Sequence, residues 1–472
     1  MGNLPEGRMI DRIALFLIGL YSLGSALWGS NFSERHLTVP SLGFPVFIGE
    51  MLLAACLLLW AVKYWRHGMT LTRWHKAFFV YFVFIVCKAL WDFGGWGPLA
   101  FRNAALFYYT IFALFGYSFY KKEYFQGKWV YGILAVCMFL TSRFWDCGYF
   151  WYTAFILAVV LIMTVRPVKG KLLLSAVLLG LLQYPAIFAG SRTHLMSVLT
   201  ALLFLTVIFV AYFLKVSPKA KVWIACCALA AVLAGVYVFA DRNGVQSCLK
   251  LRDMVDMYSQ ITAKLDEKRK TYHQQSLRVA VYHDNKYKIE HMSGQAGINQ
   301  EVFKDVHYSG GGVSGYRNFN DAQGNGIFRM LIWHDMFIEL KEGGLRSLLG
   351  VGLGKPQRSV SLEMLWWGGG EWSRDGWITP HNVYFHFIYR LGAVGLLVII
   401  AMFAIVVYLT RSFIALRSAT GVLLVSILAY WMMACNSLVI LELPHYAIPF
   451  WTLMGLTWAY GNEQLARRKQ VK

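Results

Sequence analysis

Hydrophobic residues along this chain gather into long blocks separated by short connectors rich in lysine and arginine. Each block is close to the roughly 20 residues a helix needs to cross a bilayer. The blocks fall at approximately 10–29, 42–62, 76–92, 99–120, 128–144, 148–165, 171–189, 194–214, 221–240, 382–409, 419–440 and 446–461. The pattern predicts about twelve transmembrane helices, the first of them a retained span and not a removable leader.

The connectors sort by charge. On one side lie Arg8 and Arg12, Lys63, Arg66, Arg73 and Lys76, Lys121, Lys122 and Lys128, then Arg166, Lys169 and Lys171. Lys215, Lys219 and Lys221, Arg411 and Arg417, and Arg467, Arg468, Lys469 and Lys472 continue the series. The short loops opposite hold Arg35, Arg102, Arg143 and Arg192. The positive-inside rule then makes both termini cytoplasmic and turns the sparse side outward.

One connection breaks the rhythm. About Asp241 to Pro380 is nearly neutral, faces outward, and is too long for an ordinary loop, so it should fold as a small, mainly helical domain or lid. Leu249, Leu251, Met254, Met257, Ile261 and Leu265 recur in it at helical spacing. The expected organisation is an all-α polytopic membrane protein in three parts. Residues 1–240 hold helices one to nine, 241–381 the outer loop or lid, and 382–472 helices ten to twelve with a basic tail.

Composition agrees: 57% hydrophobic and 15% charged, where a soluble chain carries roughly 25% charged residues. The formal charge of +20 is mostly a topology signal beside anionic inner-leaflet lipid, which removes the main support for nucleic-acid binding. The eight cysteines show no metal-ligand spacing; Cys147 and Cys248 are the two in exterior segments, where a disulfide is conceivable. Ser309 to Gly315, SGGGVSG, lacks the GK[ST] of a phosphate loop and reads as a flexible break.

Three polar segments converge on the outer side. In FAGSRTHLM, Arg192 occupies a very short turn, where an interfacial arginine otherwise snorkels to headgroups. GIFRMLIWHDMFIELKEGG predicts a helix ending near Gly343 and Gly344, with Arg329 and Trp333 four apart, a spacing that also suits simple stacking. In ITPHNVYFHFIYRLGAVG, Pro380 favours a bend before His381 and Asn382. His386 and Arg390 follow on one face of the tenth predicted span, and an arginine buried there must face protein or a wet cavity.

The order of these elements resembles the O-antigen ligase and O-antigen polymerase superfamily of bacterial envelope glycosyltransferases. The corresponding residues are Arg192 at a short outer turn, Arg329 with Trp333, Gly352 with Gly354, His381 with Asn382, and Gly392 with Gly395. They cover about Gly190 to Leu397; the flanking spans match only in number and hydropathy, and the outer loop is long for the family.

The resemblance implies a glycosyltransferase C-like helical fold and a metal-independent, inverting transfer on the outer face of the bacterial inner membrane, with no cofactor. The donor would be an undecaprenyl-diphosphate-linked glycan and the acceptor a glycan hydroxyl, in a ligase the lipid A-core. Membrane lipid and a chain-length regulator or flippase would be its partners. In this scheme Arg192 and Arg329, with Arg390, neutralise the departing diphosphate, because a guanidinium holds phosphate oxygens in two bonds and stays charged. His381 takes the acceptor proton. Asn382, His386 and Trp333 line the substrate site; His386, Glu442 and His445 are alternative bases, although a structural role suits His386 better. Polymerase and protein O-oligosaccharyltransferase chemistry share the donor and remain open. From a different class, about twelve helices also suit a secondary transporter or a lipid-linked oligosaccharide flippase, whose ionisable residues would gather near the midplane. Lys88 and Asp92, four apart, are the pair that sits there, and they read as structural.

Overall fold

A computed structural model describes residues 4–39, 44–68, 72–121, 251–269, 278–279, 289–290, 322–357, 359–364, 380–436 and 439–471. The described chain is mostly helical and divides into two compact units, residues 1–232 with 397–472, and residues 233–396. Predicted spans between 128 and 240, Arg192, Cys147, Cys248 and the Ser309–Gly315 stretch lie outside the described residues.

In the first unit, α1 (Leu4–Trp28) leads through α2 (Ser30–Ser33) into an antiparallel pair, β1 (His36–Val39) and β2 (Phe44–Phe47), with His36 opposite Phe47. The hairpin corrects the expected start of the second span at residue 42. Pro45 lacks the amide a helix interior requires, so the helix waits until α3 (Ile48–His67). Next come α4 (Arg73–Trp96), α5 (Leu99–Tyr108) and α6 (Ile111–Phe119), and after the second unit α12 (Ala419–Ala434) and α13 (Pro444–Val471). Among the described residues four helical stretches are long and apolar enough to cross a membrane: Ile48–Arg66, Arg73–Trp96, Leu99–Phe119 and Ala393–Ala415. That is the makeup of a multi-pass membrane protein.

Residues 99–119 are largely apolar and mostly buried, as helices packed on several sides must be. There α6 packs against α13 through glycine. A side chain on Gly116 would strike the Thr452 carbonyl, and one on Gly455 the Ala113 carbonyl, so the two backbones touch. Buried polar groups are matched in place. Lys63 Nζ donates to Asp11 and to the Ser118 carbonyl, both at 2.6 Å, while Tyr108 and Tyr109 donate to Glu50 Oε1 at 2.6 and 2.5 Å. Lys88 Nζ meets both oxygens of Asp92 at 2.7 and 2.6 Å, the pair read from their spacing.

In the second unit α7 (Leu251–Arg269) packs on α8 (Ala322–Glu342), with Ile261 and Leu265 against Ile327, Leu331, Ile332 and Met336. A two-residue ladder pairs β3 (Arg278–Val279) with β4 (Ile289–Glu290). The α8 helix stops where predicted, at Gly343 and Gly344, the latter in the left-handed region at φ 55°. A 3₁₀ turn (Gly344–Leu349), α9 (Val360–Met364) and α10 (Val383–Leu391) complete the described part of this unit.

The tenth predicted span is redrawn. Residues 383–391 form a separate short helix, the chain breaks at Gly392 with φ 55°, and the membrane-length helix is α11 (Ala393–Ala415). A Cβ on Gly392 would overlap the Ser347 and Leu348 carbonyls, and one on Gly395 the Phe387 carbonyl, so only glycine admits this corner. His386 and Arg390 therefore precede the long apolar helix and do not ride within it.

Candidate active site

The site is built from α8 and the Pro380–Asn382 bend. On α8, Phe328 and Trp333 pack at the edge of the core and Arg329 lies beside them in the chain, all three partly buried. Trp333 Nε1 donates to the Pro380 carbonyl at 2.6 Å, and its ring stacks on Phe385 with centroids 4.9 Å apart and planes 19° apart. Phe328 sets its edge against the His381 ring at 6.1 Å. On the other side Asn382 caps α10, its Oδ1 accepting from the Phe385 amide at 3.0 Å.

Held between these contacts, His381 has φ 49°, a conformation that costs a non-glycine residue roughly 1–2 kcal/mol. Strain of this kind persists only where the surroundings over-determine it, and it concentrates at functional positions. Burial, and then the nearby charge of Arg329, push the His381 pKa down to about 4. The imidazole is therefore neutral at physiological pH and able to accept a proton. Both groups retain some exposure.

Behind the bend, Arg390 is 3% exposed and fully engaged with the protein. Its Nε donates to His386 Nε2 at 3.0 Å, and its Nη1 donates to the Lys355 carbonyl and, at 3.4 Å, to that of Gly352. Gly352 and Gly354, at φ 98° and 86°, give this loop the tight turns that bring two carbonyls onto one guanidinium. Val351 N also donates to the Tyr389 carbonyl at 2.8 Å. Arg390 and His386 thus lock the G-x-G loop to α10.

Two carboxylates escaped the sequence reading. Buried Asp335 accepts from the Ser359 hydroxyl, from Ser361 Oγ at 2.7 Å and from the Ser361 amide at 2.9 Å, fixing the start of α9. Glu339 pairs with Lys355 and accepts from Tyr389 OH at 2.5 Å. Their position four residues apart within the apolar run of α8 was the available signal.

Of the sequence-predicted residues, the structure brings together Arg329, Trp333, His381 and Asn382, and sets His386 and Arg390 beneath them as a bracing pair. Arg192 lies outside the described residues. Glu442 and His445 belong to the other unit, where Ser33 Oγ and His445 Nδ1 are 2.9 Å apart. No protein-family model, curated protein or solved structure matches the chain. The resemblance therefore rests on the motif residues themselves.

Proposed function

We propose that the chain is a membrane glycosyltransferase acting on a lipid-linked diphosphate donor. More narrowly, it would transfer a glycan from undecaprenyl diphosphate to an acceptor hydroxyl at the outer face of the inner membrane, in the manner of an O-antigen ligase using lipid A-core. The observation that supports this reading is a neutral, strained imidazole beside a guanidinium on a bend that Trp333 and Asn382 hold from both sides.

In this mechanism the acceptor hydroxyl loses its proton to a His381 ring nitrogen as its oxygen bonds to the anomeric carbon. The bond from that carbon to the phosphate oxygen breaks, its electron pair leaving with undecaprenyl diphosphate, and the configuration inverts. Arg329 meets negative charge that grows as the bond breaks, and stabilisation of that kind lowers a barrier. An imidazole with pKa about 4 is by itself a weak base. A bound diphosphate would offset the Arg329 charge and raise its basicity when the acceptor arrives.

The experiment measures transfer from a lipid-linked glycan in membranes with matched expression. Each of Arg329→Ala and His381→Ala should lower the rate by about 10² to 10³. Near-wild-type transfer in both variants would retire the proposal. The acceptor is read from a deletion strain. Full-length lipid-linked chains should accumulate for a ligase, whereas single lipid-linked repeats would reassign the chain as a polymerase.

A further inference from the structure

The 3₁₀ turn Gly344–Leu349 carries leucines that enter no core. Leu345, Leu348 and Leu349 are 85%, 57% and 52% exposed, on a segment of only six residues. Its backbone, by contrast, is fixed. Ser347 Oγ donates to the Leu340 carbonyl at 2.5 Å, Gly350 N to the Ser347 carbonyl at 2.9 Å, and the Ser347 and Leu348 carbonyls press on Gly392 so closely that no Cβ fits. A rigid scaffold presenting leucines outward needs an apolar medium to receive them.

The place of this turn says which medium. Gly392 immediately precedes α11, whose 23 residues are long and apolar enough to cross a membrane. At 1.5 Å per residue such a helix is about 34 Å long, little more than the roughly 30 Å hydrocarbon layer. Its first residue must then lie at the boundary of that layer, and so must the turn that touches Gly392. Leu396, in the first turn of α11, is itself an exposed apolar residue. Exposed Lys341, in the last turn of α8, supplies a cation at headgroup level.

We infer that Gly344–Leu349 is a membrane-surface anchor whose Leu345 and Leu348 insert among phospholipid acyl chains at the leaflet where α11 begins. A single residue, Gly343, joins it to α8, the helix that bears Arg329 and Trp333. The anchor would set those side chains at a fixed depth relative to the headgroups. This inference stands apart from the glycosyltransferase proposal, since it uses only the turn, Gly392 and the apolar helix.

The test places a photo-crosslinking p-benzoylphenylalanine at position 345, and separately at 348, in the full chain. The protein is reconstituted in nanodiscs of phosphatidylethanolamine and phosphatidylglycerol, with exposed Glu267 of α7 as the comparison site. Irradiation should give phospholipid adducts at 345 and 348 at least fivefold above those at 267. Both positions are exposed, so either alone decides the matter if the other fails to yield folded protein. Adduct levels no higher than at 267 would overturn the inference. So would crosslinks in native membranes that run mainly to another protein.

Discussion

Arg390→Lys separates a bracing role from a substrate-binding one. The native guanidinium, 3% exposed, reaches His386 Nε2 through Nε and two loop carbonyls, those of Gly352 and Lys355, through Nη1. Lysine keeps the charge, but its compact ammonium cannot span the ring on one side and the loop on the other. Hydrogen bonds to a charged donor contribute about 1.5–3 kcal/mol each. Losing one or two of the three, with partial relaxation, should cost about 2–4 kcal/mol. That is a large share of the roughly 5–15 kcal/mol that holds a domain folded. The assay is thermal denaturation of the purified chain in detergent, with the rate of limited tryptic cleavage as a second probe. The variant should unfold several degrees lower and be cut faster, while the donor KM of whatever remains folded stays near wild type. An unchanged midpoint and cleavage rate, with a raised donor KM, would refute the bracing argument and make Arg390 a substrate contact.

Two further outcomes follow from the bend. Trp333→Phe keeps the stack on Phe385 but removes the hydrogen bond to the Pro380 carbonyl, worth about 1 kcal/mol, and so loosens a backbone already strained at His381. Transfer should fall about tenfold with a denaturation midpoint only a few degrees lower, and equal activity would show that the bond does not hold the imidazole. The pKa of about 4 sets the pH dependence. Between pH 4 and 6.5 the unfolded chain binds a proton at His381 that the folded chain does not, so this residue's contribution to stability falls as pH drops through that window. The acid limb of kcat/KM, which reports the free protein, should accordingly lie near pH 4. Arg329→Gln should move the limb upward by only part of the distance to 6.5, because burial is the larger cause. An unmoved limb would dissociate the two side chains.

Much of this was legible in the residues. The spacing of Ile261 with Leu265 and the Gly343–Gly344 stop placed α7 and the end of α8, and Pro380 marked the bend at His381. Hydropathy failed where one residue decides. A smoothed apolar run does not register the break at Gly392, and it cannot tell the Phe44–Phe47 strand from the start of a helix. Side-chain partners were hidden for a different reason. Arg390 and Trp333 are satisfied by main-chain carbonyls of Gly352, Lys355 and Pro380, and every residue has a carbonyl, so composition carries no trace of which one is used.

The close seating of α6 on α13 bears on how the protein is made. Gly116 and Gly455 press against each other's helices, yet α13 is translated about 340 residues after α6, a delay of roughly 20–70 s at 5–20 residues per second. For that interval α6 must wait in the insertion machinery or beside a surrogate helix. A ribosome that stalls or stops before residue 444 leaves an orphaned groove, the kind of lesion that membrane quality-control proteases recognise.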